Sequence, residues 1–257
     1  MNELTKAQEI YFRESKARDE HGQLVTVFHG SKTKGFDIFE YSPDRQTGTD
    51  YGEAYYFTSD YDKAKAYAYD SEKDPRIVEW KEKKQELINK YLETNDPKYT
   101  KEMYELKVDG KNLEQILAAG DYDTGGSVIA VYLDLKNPLV VDAHQRDYYR
   151  VYPEYFKQAR ENGHDGIIVK NVNDNPRGEP RPIDVYIAFK PEQIKSVDNL
   201  YPTKSANFKD NSQEYMKENF RKMSPEDQFT MAKIIKQKIS DRETQVFEKT
   251  TRFEREK

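Results

Sequence analysis

Three side chains stand out for the chemistry they offer together: the imidazole of His29 and the phenols of Tyr56 and Tyr67. His29 is followed by Gly30 and Ser31, residues small enough to leave the backbone approachable. Tyr56 lies in the run Gly52-Glu53-Ala54-Tyr55-Tyr56-Phe57, and Tyr67 comes eleven positions later. Taken singly, each is ordinary. A lone histidine is more often structural than functional, and a lone tyrosine is more often core than ligand stacker. Their order along the chain is what carries information. The chain has no cysteine, which excludes thiol catalysis, cysteine-ligated zinc and disulfide staples. His21, His144 and His164 show no metal-ligand spacing, so no metal is expected.

The elements that must position these groups read as follows. Residues 4–19 suggest a short charged helix broken at Gly22. Leu24 to Phe28 is a β-branched run that predicts a strand, with His29-Gly30-Ser31 at its end. Phe36 to Tyr41 reads as extended, 42–53 as a loop, and Ala54 to Thr58 as a second strand. Ser59 and Asp62 form a capping pattern before a helix over 60–70. Residues 71–124 look like inserted helices, with Trp80, Leu87, Ile88 and Leu92 as a thin apolar stripe. Strands are expected at 128–135, after Asn137-Pro138, at 165–169, at 185–189 and at 193–197. A helix over 153–162 stops at Gly163. The chain thus divides into a domain at 1–202 and a linker with helical extension at 203–257. In that extension, Ser224-Pro225-Glu226-Asp227 starts a helix carrying Phe229, Ile234, Ile235 and Ile239 on one side.

Composition narrows the function classes. The net charge of −5 argues against a broad nucleic-acid surface. No run of eighteen apolar residues is present, so no membrane partner is expected, and the location implied is cytoplasmic. Tyrosine is abundant, with 20 residues against 12 Phe and 1 Trp, which suits a core with polar neighbours.

The order strand–His-Gly-Ser, then Gly-x-Ala-Tyr-Tyr-Phe-Thr, then a helix with Ala64-Lys65-Ala66-Tyr67-Ala68, then a late strand before Gln193-Ile194-Lys195-Ser196, resembles the ADP-ribosyltransferase family. The likeness is to its diphtheria-toxin-like and poly(ADP-ribose)-polymerase-like branch, and within it to domains found in polyvalent proteins of phages and mobile elements. It covers residues 24–197, with the helical insert and the C-terminal helices outside it. The resemblance implies an α+β fold with a split β-sheet core, and NAD as the substrate-type cofactor. It implies that His29 binds the ribose next to nicotinamide and that Gly30, with Ser31 alongside, holds the carboxamide by its backbone. Tyr56, beside Phe57, and Tyr67 would grip the cationic ring, at about 0.5–2 kcal/mol each. Ala64 stands where the polymerase branch has a hydroxyl residue. The family's acid falls on Val185; the neighbouring Asp184 is the candidate, brought inward by a bulge after Pro182, with Glu192 and Gln193 behind it. The activity implied is transfer of ADP-ribose from NAD to a macromolecular acceptor, a protein before a nucleic acid, in a bacterial or phage-infected host cell. NAD hydrolysis and an inactive binding module are the alternatives.

Overall fold

The computed structural model describes residues 4–41, 51–174, 181–210, 224–226, 228–230, 232–233 and 236. In chain order the elements are α1 (Lys6–Tyr11), β1 (Val27–Ser31), β2 (Tyr55–Thr58), α2 (Tyr61–Ala68), α3 (Pro75–Thr94), α4 (Lys98–Glu105), α5 (Leu113–Ala119), β3 (Ser127–Leu133), β4 (Leu139–Asp142), α6 (Tyr148–Glu161), β5 (Gly166–Val172), β6 (Ile183–Ala188) and β7 (Ile194–Ser196). The strands form one sheet in the order β4-β5-β6-β2-β1-β3-β7. β4 and β5 run parallel, with α6 as their crossover, and every other pair is antiparallel. This is the α+β architecture expected.

The sheet is weakest in its middle. β1 runs beside β3 from Val27 to Ser31, and β2 beside β6 from Tyr55 to Thr58, but β1 meets β2 at the single register pair Phe28–Thr58. The two halves are therefore all but split between β1 and β2.

Alternation along the strands sends side chains to two layers. On one face, Val151, Tyr152, Phe156 and Ala159 of α6 pack on Ile167, Val169, Val185 and Ile187. On the other, Val27, Phe57, Val131, Leu133, Ile168 and Tyr186 are covered by Phe39 and Phe208, which arrive on irregular segments. Ile38 bridges Asn207, and the Phe208 N–H donates to the Asp37 carbonyl at 2.9 Å. Residues 203–210, read from sequence as linker, are thus part of the core, with Phe208 only 1% exposed. The Phe36–Tyr41 segment contributes that one bridge and no strand.

Several boundaries move for identifiable reasons. α1 ends at Tyr11 because the chain beyond it pairs with the sheet: Ser15 Oγ donates to the Leu133 carbonyl and Lys16 N–H to the Leu135 carbonyl. Leu24 bridges Arg18 and Val25 N–H donates to Ala17, so the first strand starts at Val27 and His29-Gly30-Ser31 lies within it. Asp60, not Ser59, caps α2, accepting from Lys63 N–H at 3.1 Å. α6 begins at Tyr148 and carries Pro153 inside it.

The insert α3–α5 closes its own small core around Ile77, Val108 and Ile116, with Trp80 packed against it. Leu87 and Ile88 are partly buried, but Leu92 is exposed where α3 outruns its partners. Asp74 caps α3 and is locked by the Arg76 guanidinium and the Tyr69 hydroxyl, which hold its pKa down at about 2. In the C-terminal extension, Gln228 N–H donates to the Ser224 carbonyl as a helix start requires. Ile234, Ile235 and Ile239 lie outside the described residues.

Candidate functional site

His29 stands at the split. Its Nδ1 lies 2.9 Å from the Tyr56 carbonyl oxygen, bridging β1 to β2 where the backbone ladder has run out. A carbonyl only accepts, so Nδ1 carries the proton in this bond. Burial holds the imidazole below its ordinary pKa, which keeps it neutral and leaves Nε2 with a lone pair. The ring packs against Phe39 and Phe57, with centroids 5.1 and 5.6 Å away. Phe28 opposite Thr58 puts His29 on the Phe57 face and Gly30 on the Tyr56 face. The imidazole and the Tyr56 phenol thus leave the sheet on opposite sides and meet only through the Tyr56 backbone.

Gly30 is the contact point for α2. A Cβ there would lie 1.9 Å from the Ala64 carbonyl oxygen, and one at Gly126 would lie 1.9 Å from that of Ala68. Ala64 and Ala68, one helical turn apart and both buried, let the backbone of α2 rest on these two glycines. Ala64 is thereby explained as packing, and Gly30 is required by the helix whatever else its backbone holds.

Tyr56 and Tyr67 are brought into one cluster, through residues that sequence reasoning did not select. Tyr56 lies near-parallel to Tyr152 of α6, with centroids 6.2 Å apart and planes at 24°. The Tyr67 hydroxyl donates to Asp174 Oδ1, and the Tyr152 hydroxyl donates to Asp174 Oδ2 at 3.3 Å. Asp174 follows β5 and is buried. Burial pushes its pKa up, and the two phenol donors oppose that only in part. Burial also raises the pKa of all three tyrosines, and the Asp174 charge adds to the rise in each. The loop before β2 is pinned to α6: Tyr51 stacks on Phe156 at 4.5 Å, and the Arg160 guanidinium donates to the carbonyls of Tyr51 and Glu53. Gly52 makes that turn with φ of 76°.

The other candidates stand elsewhere. Ser31 Oγ is engaged in a local turn with Thr33. Phe57 is buried in the second core layer. Val185 is buried on the Tyr56 face, while Asp184 is on the opposite face, bonded to Lys170 Nζ at 2.6 Å and to Asn171 N–H at 3.1 Å. The irregularity in this part of the sheet falls between Val169 and Val172 of β5, and it does not turn Asp184 inward. Glu192 is exposed, and the Gln193 side chain ties Asp165 to residues 189 and 190.

Residues 19–116 match the family model described as ADP-ribosyltransferase in polyvalent proteins. Over that stretch, which is under half of the chain, it is similar to an ADP-ribosyltransferase domain, and ADP-ribosyl transfer is the general function this likeness supports. The match includes His29, Gly30, Tyr56 and Tyr67, and it runs through α3 and α4 into α5, so the insert that the sequence motifs left aside falls within it. It ends before β3, so the ADP-ribosyltransferase match does not reach Asp174, Asp184 or Val185. The chain matches no curated protein and no solved structure. Among the described residues, no helix is long and apolar enough to cross a membrane, and no three metal-ligating side chains are grouped.

The signal for Asp174 was faint. It sits at the edge of a Pro- and Gly-containing stretch, and its partners Tyr67 and Tyr152 are 107 and 22 positions away.

Proposed function

We propose that the domain transfers ADP-ribose from NAD⁺ to a macromolecular acceptor, one residue at a time, and releases nicotinamide. One observation supports this above the others: three tyrosines from β2, α2 and α6 gather around one buried carboxylate, beside the place where the sheet opens. Neutral phenol faces around an anion suit a flat aromatic cation, which is what the nicotinamide ring of NAD⁺ is. In this reading Gly30 offers its backbone N–H and C=O to the carboxamide. Tyr56 and Tyr67 supply aromatic faces for the ring. His29, on the other face of the sheet, holds the Tyr56 carbonyl through Nδ1 and so fixes the strand edge that carries the phenol.

The bond from the ribosyl anomeric carbon to the ring nitrogen breaks, and its electron pair neutralises the departing nicotinamide. Positive charge passes to the ribosyl centre, where a nearby carboxylate lowers the barrier. The acceptor then bonds to that carbon and gives up its proton. We take a protein of the bacterial or phage-infected cell as the acceptor. Val185 favours a second reading, a domain that binds NAD⁺ without turnover, because an apolar side chain fills the place where the resemblance puts the acid.

Incubation with NAD⁺ labelled in its adenylate half, alone and with host lysate, separates the readings. Nicotinamide release with a labelled acceptor is expected. Release without label means hydrolysis, and binding without release means a binding module. In calorimetric titration, His29→Ala and Tyr56→Ala should each weaken NAD⁺ at least about tenfold, the scale of one lost good contact. Unchanged affinity in both would remove the assignment.

A further inference from the structure

We propose that Asp174 is the anionic group by which this tyrosine cluster selects the oxidised, cationic dinucleotide over its reduced, neutral form. The inference rests on the NAD⁺ reading and adds to it a residue and a specificity.

Asp174 differs from Asp74 and Asp184 in having, among the described residues, no guanidinium or ammonium bonded to it. Asp74 is locked by a guanidinium, and Asp184 is paired with the ammonium of Lys170. Asp174 accepts instead from two neutral phenols, Tyr67 on α2 and Tyr152 on α6, one on each carboxylate oxygen. Burial is the largest influence on it and the field of Lys63 the smallest. A buried carboxylate satisfied by neutral donors keeps its net charge, and that charge still favours a cation placed beside it. The phenol faces around it restrict which cation fits: a planar aromatic ring gains from stacking where an ammonium does not. Tyr56, the third phenol, feels the Asp174 charge as well, which places the anion within electrostatic reach of all three rings.

The elements involved explain why the arrangement holds without a ligand. α2 is fixed on Gly30 and Gly126 by backbone contact, and α6 is fixed by its buried face on β5 and β6. Tyr67 and Tyr152 therefore reach Asp174 from two independently anchored helices. Oxidised and reduced dinucleotide share every group except the charge and flatness of the nicotinamide ring. Removing the Asp174 charge while keeping its shape separates the first difference from the second.

The test is calorimetric titration of the full chain with NAD⁺ and with NADH. Wild type should bind NAD⁺ at least about tenfold more tightly than NADH. Asp174→Asn, which keeps the shape and loses the charge, should bring that ratio close to one by weakening NAD⁺ while NADH stays within about twofold. Asp174→Glu, which keeps the charge, should retain a preference for NAD⁺ and guards against a folding defect in the amide variant. An Asp174→Asn protein with the wild-type ratio overturns the proposal. So does one that loses both ligands in parallel, since that is the mark of a tie between helices. Wild type that binds neither nucleotide overturns the NAD⁺ reading itself, and this inference with it.

Discussion

Two carboxylates of this domain are held under contrasting terms. Asp174, between α2 and α6, has a phenol hydroxyl on each oxygen. Asp134, just beyond β3, has no hydrogen-bond partner on Oδ1, and Lys136 Nζ is 3.8 Å from Oδ2. Burial raises both pKa values, that of Asp134 to about 6. The difference shows how a site is told from a cost of folding. Donors converging on Asp174 come from separately anchored helices, whereas nothing is aimed at the free oxygen of Asp134. An unmade hydrogen bond at a buried polar atom costs about 1–3 kcal/mol, and no ligand chemistry follows from it.

The comparison breaks most severely at Gly30. In Gly30→Ala, the new methyl carbon meets the Ala64 carbonyl oxygen at 1.9 Å, and the Ala68 nitrogen and Tyr67 Cβ at 2.8 Å. Backbone cannot yield there as a flexible side-chain end would, so α2 must lift and carry Tyr67 away from Asp174. Overpacking of this kind costs about 3 kcal/mol, which for a domain of this size lowers Tm by roughly 6–12 °C. NAD⁺ binding should fall with it. Thermal melting within about 2–3 °C of wild type, equivalent to about 1 kcal/mol or less, would mean that α2 does not rest on the strand.

Asp134→Asn sharpens the other half. An acid whose folded pKa lies near 6, above the 3.8 of an ordinary aspartate, stabilises the fold fully only below the lower value. That contribution is lost as pH rises from about 4 to about 6. Above pH 6 the wild type carries a largely buried charge whose Oδ1 has no hydrogen-bond partner, and a rise from 3.8 to about 6 corresponds to at most roughly 3 kcal/mol. Allowing for partial solvent screening, Asp134→Asn should be more stable than wild type by about 1–2 kcal/mol at pH 7.5. The gap should close near pH 4. Chemical denaturation at the two pH values checks this, and a gap that does not depend on pH would show that Asp134 is not the group responsible.

These two aspartates also mark how far the sequence could be read. Strands whose character is local were legible: the runs expected at 165–169 and 185–189 fall on β5 and β6, which extend beyond them to Val172 and back to Ile183, and Gly163 ends α6 with φ of 69° as expected. The His-Gly and Tyr-Phe pairs were placed on the strands that carry them, β1 and β2. What was lost depends on partners far along the chain. α1 is cut short, and β1 delayed, by pairing between residues 15–18, 24–25 and 133–135. Pro153 looked like the first residue of a helix that in fact starts at Tyr148, because α6 is held by its buried face and tolerates the missing N–H. Phe208 looked like part of a polar linker, and only the distant Phe36 and Phe39 make it core. Asp184 was selected because it is next to Val185 in sequence, yet adjacency in a strand means opposite faces.

A milder change tests the hydroxyl supply to Asp174. Tyr152→Phe keeps the ring beside Tyr56 and removes the 3.3 Å bond to Oδ2. A hydrogen bond to a charged acceptor is worth about 1.5–3 kcal/mol at good geometry, and this long one should cost about 1 kcal/mol in urea unfolding. The preference for NAD⁺ over NADH should persist, because the charge remains. Loss of that preference would mean that the Tyr152 hydroxyl, and not the carboxylate, discriminates.

The smallest effect is expected at Asp184, and it is the one that separates the two acids at either end of the β5–β6 connection. Asp184→Asn removes an ion pair with Lys170 whose side chains are 36% and 28% exposed, a pair worth about 0–1 kcal/mol. The amide oxygen still accepts from Asn171 N–H, so the strand end keeps its backbone tie. Because Tyr186 and Asp184 share one face and Val185 holds the other against Tyr56, NAD⁺ affinity and nicotinamide release should stay at wild-type levels. Titration and release assays on this variant decide between two pictures of the same connection. If turnover disappears while stability and NAD⁺ affinity hold, then β6 must rotate by one residue when the acceptor arrives, bringing Asp184 to the face where Val185 now stands. If nothing changes, Lys170 is simply the partner that keeps this carboxylate away from the cleft, and the negative charge of the site is carried from β5.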